Sequence, residues 1–127
     1  MIESGISFVL ASEAPKKLAE FYAFAMNAEV HPGLSDLHWL IVHPDGTRMQ
    51  IYYPSQSRPL PKRGRALALC ITGPSSIDPI ASLEEWSLKL ISRGAIVVEE
   101  PRLESFGAEA WLSDPEGNDF LILVPTN

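Results

Sequence analysis

Residues 43–51 read HPDGTRMQI, and residues 114–122 read DPEGNDFLI. In both stretches a proline, an acid and a glycine precede residues that favour strands, which predicts a tight hairpin turn followed by a strand. The proline, the acid, the glycine and the final isoleucine match position by position. One Pro-Asp-Gly turn is common, but two at corresponding places indicate an internal repeat. The alternative is two unrelated hairpins in an α+β domain.

The first half of the chain predicts a strand, a helix and three further strands. Residues 6–11 form a short apolar run typical of a buried strand. Pro15 suits the first position of the following helix, and Asn27 suits its end because Asn tolerates the left-handed conformation. The three later strands are expected at residues 28–31, 37–43 and 48–53, with residues 44–47 as the turn.

The second half predicts the same order of elements after a proline-rich linker. Asp78 caps a helix that opens with Pro79 and stops at Gly94. Strands are expected at residues 66–72, 95–98, 109–113 and 119–124, while Glu99, Glu100 and Glu104 are expected in a loop. The predicted organisation is one domain over residues 1–127, with module one at about 4–54, a linker at about 55–64 and module two at about 65–125.

Composition excludes several classes of partner. The 127 residues are 46% hydrophobic with a formal net charge of -6, and no Lys/Arg-rich stripe offsets that charge, so nucleic acid is not an expected partner. A single cysteine excludes an intramolecular disulfide and fits a reducing compartment. The sequence contains neither a signal-peptide pattern nor the roughly 18 apolar residues that a membrane span needs. We expect a cytoplasmic protein without a membrane partner.

Several motifs resemble the vicinal oxygen chelate superfamily, which includes glyoxalase I, bleomycin-resistance proteins and extradiol dioxygenases. They are Phe21-Tyr22 in the first helix and a C-terminal series comprising 107–111, 114–118 and 121–122. The resemblance covers roughly residues 4–125. It implies a glyoxalase/bleomycin-resistance-like α+β fold, in which two βαβββ modules form a curled mixed sheet cup with helices on the outside. It also implies a small-molecule ligand and a homodimer.

Strand alternation predicts which side chains face the cup. One face of the strands is bulky and apolar, as expected under helices, and includes Phe8, Met49, Ile51, Phe120 and Ile122. The other is smaller and partly polar, which leaves room for a ligand. That face carries Ser7, Val9, Ala11, Gln50, Tyr52, Ala66, Ala68, Cys70, Leu121 and Leu123.

The resemblance also places the metal-ligand positions of this superfamily on residues that do not suit a metal. These positions fall on Ser7, Gln50, Ala66 and Leu121, whereas Zn²⁺, Ni²⁺, Fe²⁺ or Mn²⁺ prefers imidazole, carboxylate or thiolate donors. We therefore expect no metal and no other cofactor. His38 and His43 are expected on opposite faces, about 16 Å apart along one strand, as ordinary surface or hairpin-end side chains.

Other side chains are candidates for ligand contact. With residues 44–47 as the turn, Trp39 is expected on the face of Gln50 and Tyr52, and Trp111 is a weaker candidate. Glu109 is an acid or base if it points inward and a plain exposed glutamate if it does not. Cys70 is expected to be a buried, inert thiol. The predicted ligand-binding set is Ser7, Trp39, Gln50, Tyr52, Ala66, Cys70, Glu109, Trp111 and Leu121, and no catalytic residue is assigned.

Three functions are consistent with this sequence. The first is metal-independent binding of a small organic molecule in the cup. The second is a lyase, isomerase or dioxygenase of the glyoxalase-like family with a divergent metal site. The third is a structural or regulatory dimer whose cup has lost its ligand.

Overall fold

The computed structural model describes residues 7–56, 59–61 and 68–127. The chain divides into two compact units, Met1–Lys62 and Arg63–Asn127. The first contains β1 (Ser7–Ala11), α1 (Pro15–Met26), β2 (Glu29–Pro32), β3 (His38–Val42) and β4 (Arg48–Tyr52). The second contains β5 (Cys70–Thr72), α2 (Pro79–Ile91), β6 (Ile96–Glu104), β7 (Gly107–Ser113) and β8 (Asp119–Pro125). The predicted pair of βαβββ modules is confirmed.

Each module has an open, mixed four-stranded sheet. The strand order is β1-β4-β3-β2 in module one and β5-β8-β7-β6 in module two. The first strand of each module pairs in parallel with the last, and the remaining pairs are antiparallel. The predicted α+β class is therefore confirmed.

Local sequence sets the limits of the helices. The backbone N–H of Ala14 donates to Ser12 Oγ at 2.9 Å just before α1. Asn27 ends that helix in the left-handed conformation, with φ 52°, as predicted. In α2, Asp78 accepts a hydrogen bond from the Ala81 N–H at 3.2 Å, which satisfies one of the free donors of the first turn.

One face of each sheet packs against the helix of its own module. In module one, Ile41, Met49 and Ile51 are buried with Leu18 of α1. In module two, the side chains of Phe120, Ile122 and Val124 are buried with those of Leu83 and Leu90. The predicted apolar face is confirmed for β4 and β8, although Phe8 in β1 remains 39% exposed.

The strand limits in module two differ from the prediction. Among the described residues, β5 begins only at Cys70, and β6 extends through Glu104, so the glutamates expected in a loop lie in a strand. The guanidinium of Arg102 pairs with Glu104 at 3.0 Å and Glu99 at 3.7 Å, and it also bonds Glu109. This shared cation offsets the repulsion between neighbouring carboxylates. Two register shifts along the β6–β7 pair accommodate the extra residues.

No helix in the described ranges is long and apolar enough to cross a membrane.

Candidate ligand-binding site

The β3–β4 hairpin determines which side chains share a face with Gln50. Its loop is closed by hydrogen bonds from His43 N–H to Thr47 O and from Gly46 N–H to His43 O, both 2.9 Å. Gly46 has φ 95°, which suits the left-handed position of a three-residue hairpin loop. The loop is thus residues 44–46, one residue shorter than expected. His38 consequently lies opposite Tyr52, and Trp39 lies opposite Ile51.

The prediction that Trp39 shares the face of Gln50 and Tyr52 is wrong, because the hairpin loop is one residue shorter than expected. Directly opposed residues point to the same face, so a shift of one position moves a side chain to the other side of the sheet. Trp39 shares the helix-covered face of Ile51, where Lys16 Nζ of α1 lies 5.5 Å from its ring centre. Its indole N–H donates to the Asp36 carbonyl at 2.8 Å. His38 takes the place expected for Trp39.

Three polar side chains form a hydrogen-bonded chain across module one. The Leu34 N–H donates to His38 Nδ1 at 2.9 Å. His38 Nε2 lies 3.0 Å from Gln50 Oε1, and Gln50 Nε2 donates to Ser7 Oγ at 3.3 Å. Ser7 and Gln50, predicted on one face of neighbouring strands, are thus in direct contact. His38 was predicted to be an ordinary surface residue, and this role is the main one that the sequence prediction missed.

Gly33 allows the backbone to wrap around the His38 ring. Its N–H donates to the His38 carbonyl at 2.8 Å, and a Cβ atom at this position would lie 2.2 Å from His38 Nδ1. A side chain at residue 33 would therefore displace the imidazole. The Pro-Gly pair before β3, combined with a three-residue hairpin loop, is the sequence signal that identifies His38.

A cavity of about 590 Å³ lies beside the hydrogen-bonded side chains of His38 and Gln50. That volume is within the range of about 300–1,000 Å³ that is usual for small-molecule sites. The walls combine apolar side chains, two phenols and the polar atoms of His38 and Gln50. The lining residues are Val9, Leu34, Ser35, Leu37, His38, Gln50, Tyr52, Tyr53, Pro54 and Ser55.

The module-two candidates also share one sheet face. Leu121 lies opposite both Cys70 on β5 and Trp111 on β7, while Glu109 lies opposite Leu123. Trp111 thus faces the side predicted for ligand contact. Ala66 lies outside the described residues, so its predicted position has no counterpart in the structure.

Glu109 is neither a plain exposed glutamate nor a carboxylate without a partner. Its side chain is only 13% exposed and accepts a hydrogen bond from Arg102 Nη2. Hydrogen bonds raise the pKa of Arg102 above its already high ordinary value, and the bond to Glu104 contributes more than the bond to Glu109. Arg102 therefore remains a cation, and Glu109 is half of an ion pair.

Cys70 is exposed, contrary to the expected buried thiol. The residue is accessible because it lies on the open face of the sheet, away from the helix-covered core. Neighbouring atoms nevertheless desolvate the thiol, which is the main reason why the pKa of Cys70 is raised. The negative charge of Glu109 raises it further, while a hydrogen bond with Thr72 acts in the opposite direction. A raised pKa disfavours the nucleophilic thiolate.

The residues at the expected metal positions do not fit a metal. Ser7 and Gln50 supply a hydroxyl and an amide, both engaged in the chain with His38, and Leu121 supplies no donor. Both ring nitrogens of His38 are also hydrogen-bonded. Among residues 7–56, 59–61 and 68–127, no three His, Cys, Asp or Glu side chains lie together as metal ligands would.

Several solved structures have the same fold as this chain. The hypothetical protein SA1046 from S. aureus is 20% identical, with TM-score 0.76 and coverage of 98% of this chain and 95% of that one. The fosfomycin resistance protein FosX from Listeria monocytogenes is 17% identical, with TM-score 0.70 and coverage of 99% and 94%. TnmS3, an antibiotic binding protein from Streptomyces sp. CB03234, is 20% identical, with TM-score 0.65 and coverage of 99% of both chains. No curated protein sequence matches the chain.

The family follows from the sequence match. The model of the glyoxalase-like domain family matches residues 7–123, which is most of the chain. The protein therefore belongs to the glyoxalase-like domain family, and the resemblance to the vicinal oxygen chelate superfamily is confirmed.

Proposed function

We propose that this protein binds a small, flat organic molecule in the module-one cavity, without a metal, and does not transform it. The observation that carries the proposal is the 590 Å³ cavity, whose lining includes Tyr52, Tyr53 and the hydrogen-bonded pair His38 and Gln50. Aromatic and apolar walls provide most of the binding free energy in such sites, and a few fixed polar groups orient the ligand.

The chemistry of the residues supports binding over catalysis. The described part of the module-one site contains no carboxylate and no thiol, and its imidazole has both nitrogens in hydrogen bonds. The one cysteine of the chain has a raised pKa, which disfavours covalent catalysis. The similarity to TnmS3, an antibiotic binding protein, is consistent with a binding role.

The proposed ligand contacts in module one are Ser7, Gln50 and Tyr52, with His38 replacing Trp39. In module two, Cys70, Glu109, Trp111 and Leu121 share one sheet face and are proposed as candidates for ligand contact on that module by itself. We also propose a cytoplasmic location, because the chain has a single cysteine and hence no intramolecular disulfide.

Thermal-shift screening of bicyclic aromatic compounds, followed by titration calorimetry, tests the binding function. Tyr52→Ala should weaken binding of a hit about two- to tenfold, the value of one aromatic contact, while Tyr52→Phe should retain most of the affinity. Leu88→Ala, on an exposed position of α2, is the matched control and should leave the affinity unchanged. Equal affinities for the wild type and Tyr52→Ala would contradict a site in this cavity.

Metal analysis tests the second half of the proposal. Protein purified without added metal should contain far less than one equivalent of Zn, Ni, Mn or Fe, because the residues at the expected ligand positions are poor donors. Stoichiometric metal together with EDTA-sensitive melting would contradict the proposal and favour an enzyme with a divergent metal site.

A further inference from the structure

We propose that the module-one site selects neutral ligands that carry a carbonyl oxygen, because the hydrogen-bonded chain from Leu34 to Ser7 leaves an N–H donor of Gln50 available in the cavity wall. This inference rests on the proposed function and specifies its ligand class. It depends on the direction of each hydrogen bond, and that direction is set at one end by the backbone.

The backbone N–H of Leu34 fixes the donor–acceptor direction of this series of hydrogen bonds. A backbone N–H only donates, so its 2.9 Å contact makes His38 Nδ1 the acceptor. The ring proton of neutral His38 is then on Nε2, which donates to Gln50 Oε1 at 3.0 Å. The carbonyl end of the Gln50 amide is therefore held towards His38.

The amide nitrogen of Gln50 consequently points to the other side. One of its two N–H groups donates to Ser7 Oγ at 3.3 Å, and no described residue accepts the other. Because Ser7 Oγ already accepts this bond, its own proton is directed away from Gln50. The second Gln50 N–H is thus the donor available in the cavity wall, and the Ser7 O–H is a further donor at the end of the hydrogen-bonded chain.

Three features favour a neutral ligand that accepts a hydrogen bond. Hydrogen bonds linked head to tail polarise one another, so the terminal donors become stronger. The apolar side chains of Val9 and Leu37 line the same cavity and favour an uncharged ligand body. The formal net charge of -6 disfavours an anion, which leaves a neutral ketone, lactone or quinone-type oxygen as the best acceptor.

His38 is a positioning residue in this arrangement. It fixes which end of the Gln50 amide faces Ser7, and without it the amide is free to turn its oxygen towards the cavity. Gly33 contributes to this positioning, because only a residue without Cβ leaves room for the His38 ring.

A matched pair of probes tests the inference. Coumarin carries a lactone carbonyl and no N–H, whereas indole is a bicyclic molecule of similar size that carries an N–H donor and no carbonyl. In titration calorimetry, the wild type should bind coumarin about fivefold more tightly than indole, the usual value of one hydrogen bond.

Two variants test the mechanism. Gln50→Glu has nearly the same shape but replaces the amide donor with a carboxylate oxygen, so the preference should reverse in favour of indole. His38→Ala should bring the ratio of the two affinities close to one, while both probes still bind. A purely structural role of His38 would weaken both probes equally and leave their ratio unchanged.

The outcomes separate the two proposals. An unchanged preference for coumarin in both Gln50→Glu and His38→Ala overturns the donor inference and leaves the binding function standing. Failure of both probes to bind the wild type at millimolar concentration, with no other bicyclic compound active in the thermal-shift screen, overturns the proposed function and the inference with it. A reversed ratio in Gln50→Glu supports both.

Discussion

Successive side chains of β4 lie in two different environments. Ile51 is fully buried under α1, while Gln50 and Tyr52 are half-buried on the opposite face beside the cavity. Ile51→Ala should therefore lower the free energy of unfolding by about 2–5 kcal/mol, since it leaves a void in the core. Gln50→Ala should cost about 1 kcal/mol or less, because it removes hydrogen bonds at a half-exposed site. Urea denaturation with a constant m-value measures both changes, and equal losses would show that the strand faces are assigned incorrectly.

The reactivity of Cys70 reports its raised pKa. Desolvation raises this pKa above its ordinary value, so at a pH near 8 the folded protein holds less thiolate than the unfolded chain. Iodoacetamide should therefore alkylate the native protein more slowly than the urea-denatured protein. The difference should shrink at a pH above both pKa values, where both states are thiolate.

A variant of Glu109 separates the two factors that raise the pKa of Cys70. Glu109→Gln removes a negative charge that raises the pKa of the thiol, so the native alkylation rate near pH 8 should increase. Leu123→Ala, opposite Glu109 on β8, provides a control for a change of packing without a change of charge. Native alkylation faster than that of the denatured chain would contradict the desolvated environment.

The two Pro-acid-Gly hairpins turn in the same way but differ in burial. Asp114 is only 1% exposed and accepts hydrogen bonds from the N–H groups of Glu116 at 2.8 Å and Asn118 at 3.0 Å. His43 occupies the matching position in module one, where its Nδ1 accepts from the Asp45 N–H at 3.1 Å. The side chain of His43 is 32% exposed, so water can replace that bond.

Equivalent substitutions in these turns should therefore have unequal effects. Asp114→Ala leaves the part-buried N–H groups of Glu116 and Asn118 without this acceptor and should cost about 2–3 kcal/mol. His43→Ala should cost less than about 1 kcal/mol, because water can hydrate the exposed Asp45 N–H. Chemical denaturation of the two variants gives the comparison directly. A larger loss for His43→Ala would mean that the first hairpin, and not the second, depends on its turn residue.

The limits of sequence prediction lie in loop lengths and in ion pairs between strands. Apolar periodicity and the Pro15, Asn27 and Asp78 signals located the helices correctly, because these are local effects of capping and amphipathicity. The loop between β3 and β4 was predicted one residue too long, which exchanged Trp39 for His38 on the cavity face. The full length of β6 was missed because Arg102 neutralises glutamates brought near it by the fold.

At the level of the entire chain, the internal repeat gave the architecture but not the site. The match between residues 43–51 and 114–122 was sufficient for two βαβββ modules. Alternation in β1 and β4 brought Ser7 and Gln50 to one face, as the structure shows. The orientation of the Gln50 amide, by contrast, depends on the Leu34 backbone and the His38 ring, and hydrophobic patterns contain no information about such directions.

The exposed apolar surface leads to a prediction about assembly. Large side chains remain exposed on an edge strand, with Ile96 64% and Leu103 65% exposed on β6. Such an edge tends to associate, so we expect a homodimer with twice the 14.0 kDa mass of one chain in light scattering at micromolar concentration. Leu103→Glu should shift the mass towards one chain, because a charge on the edge strand opposes pairing. Ile77→Glu, 88% exposed and outside the strands, is the control and should leave the dimer intact. A wild-type mass of one chain would refute the dimer, and loss of the dimer in Ile77→Glu alone would move the interface away from β6.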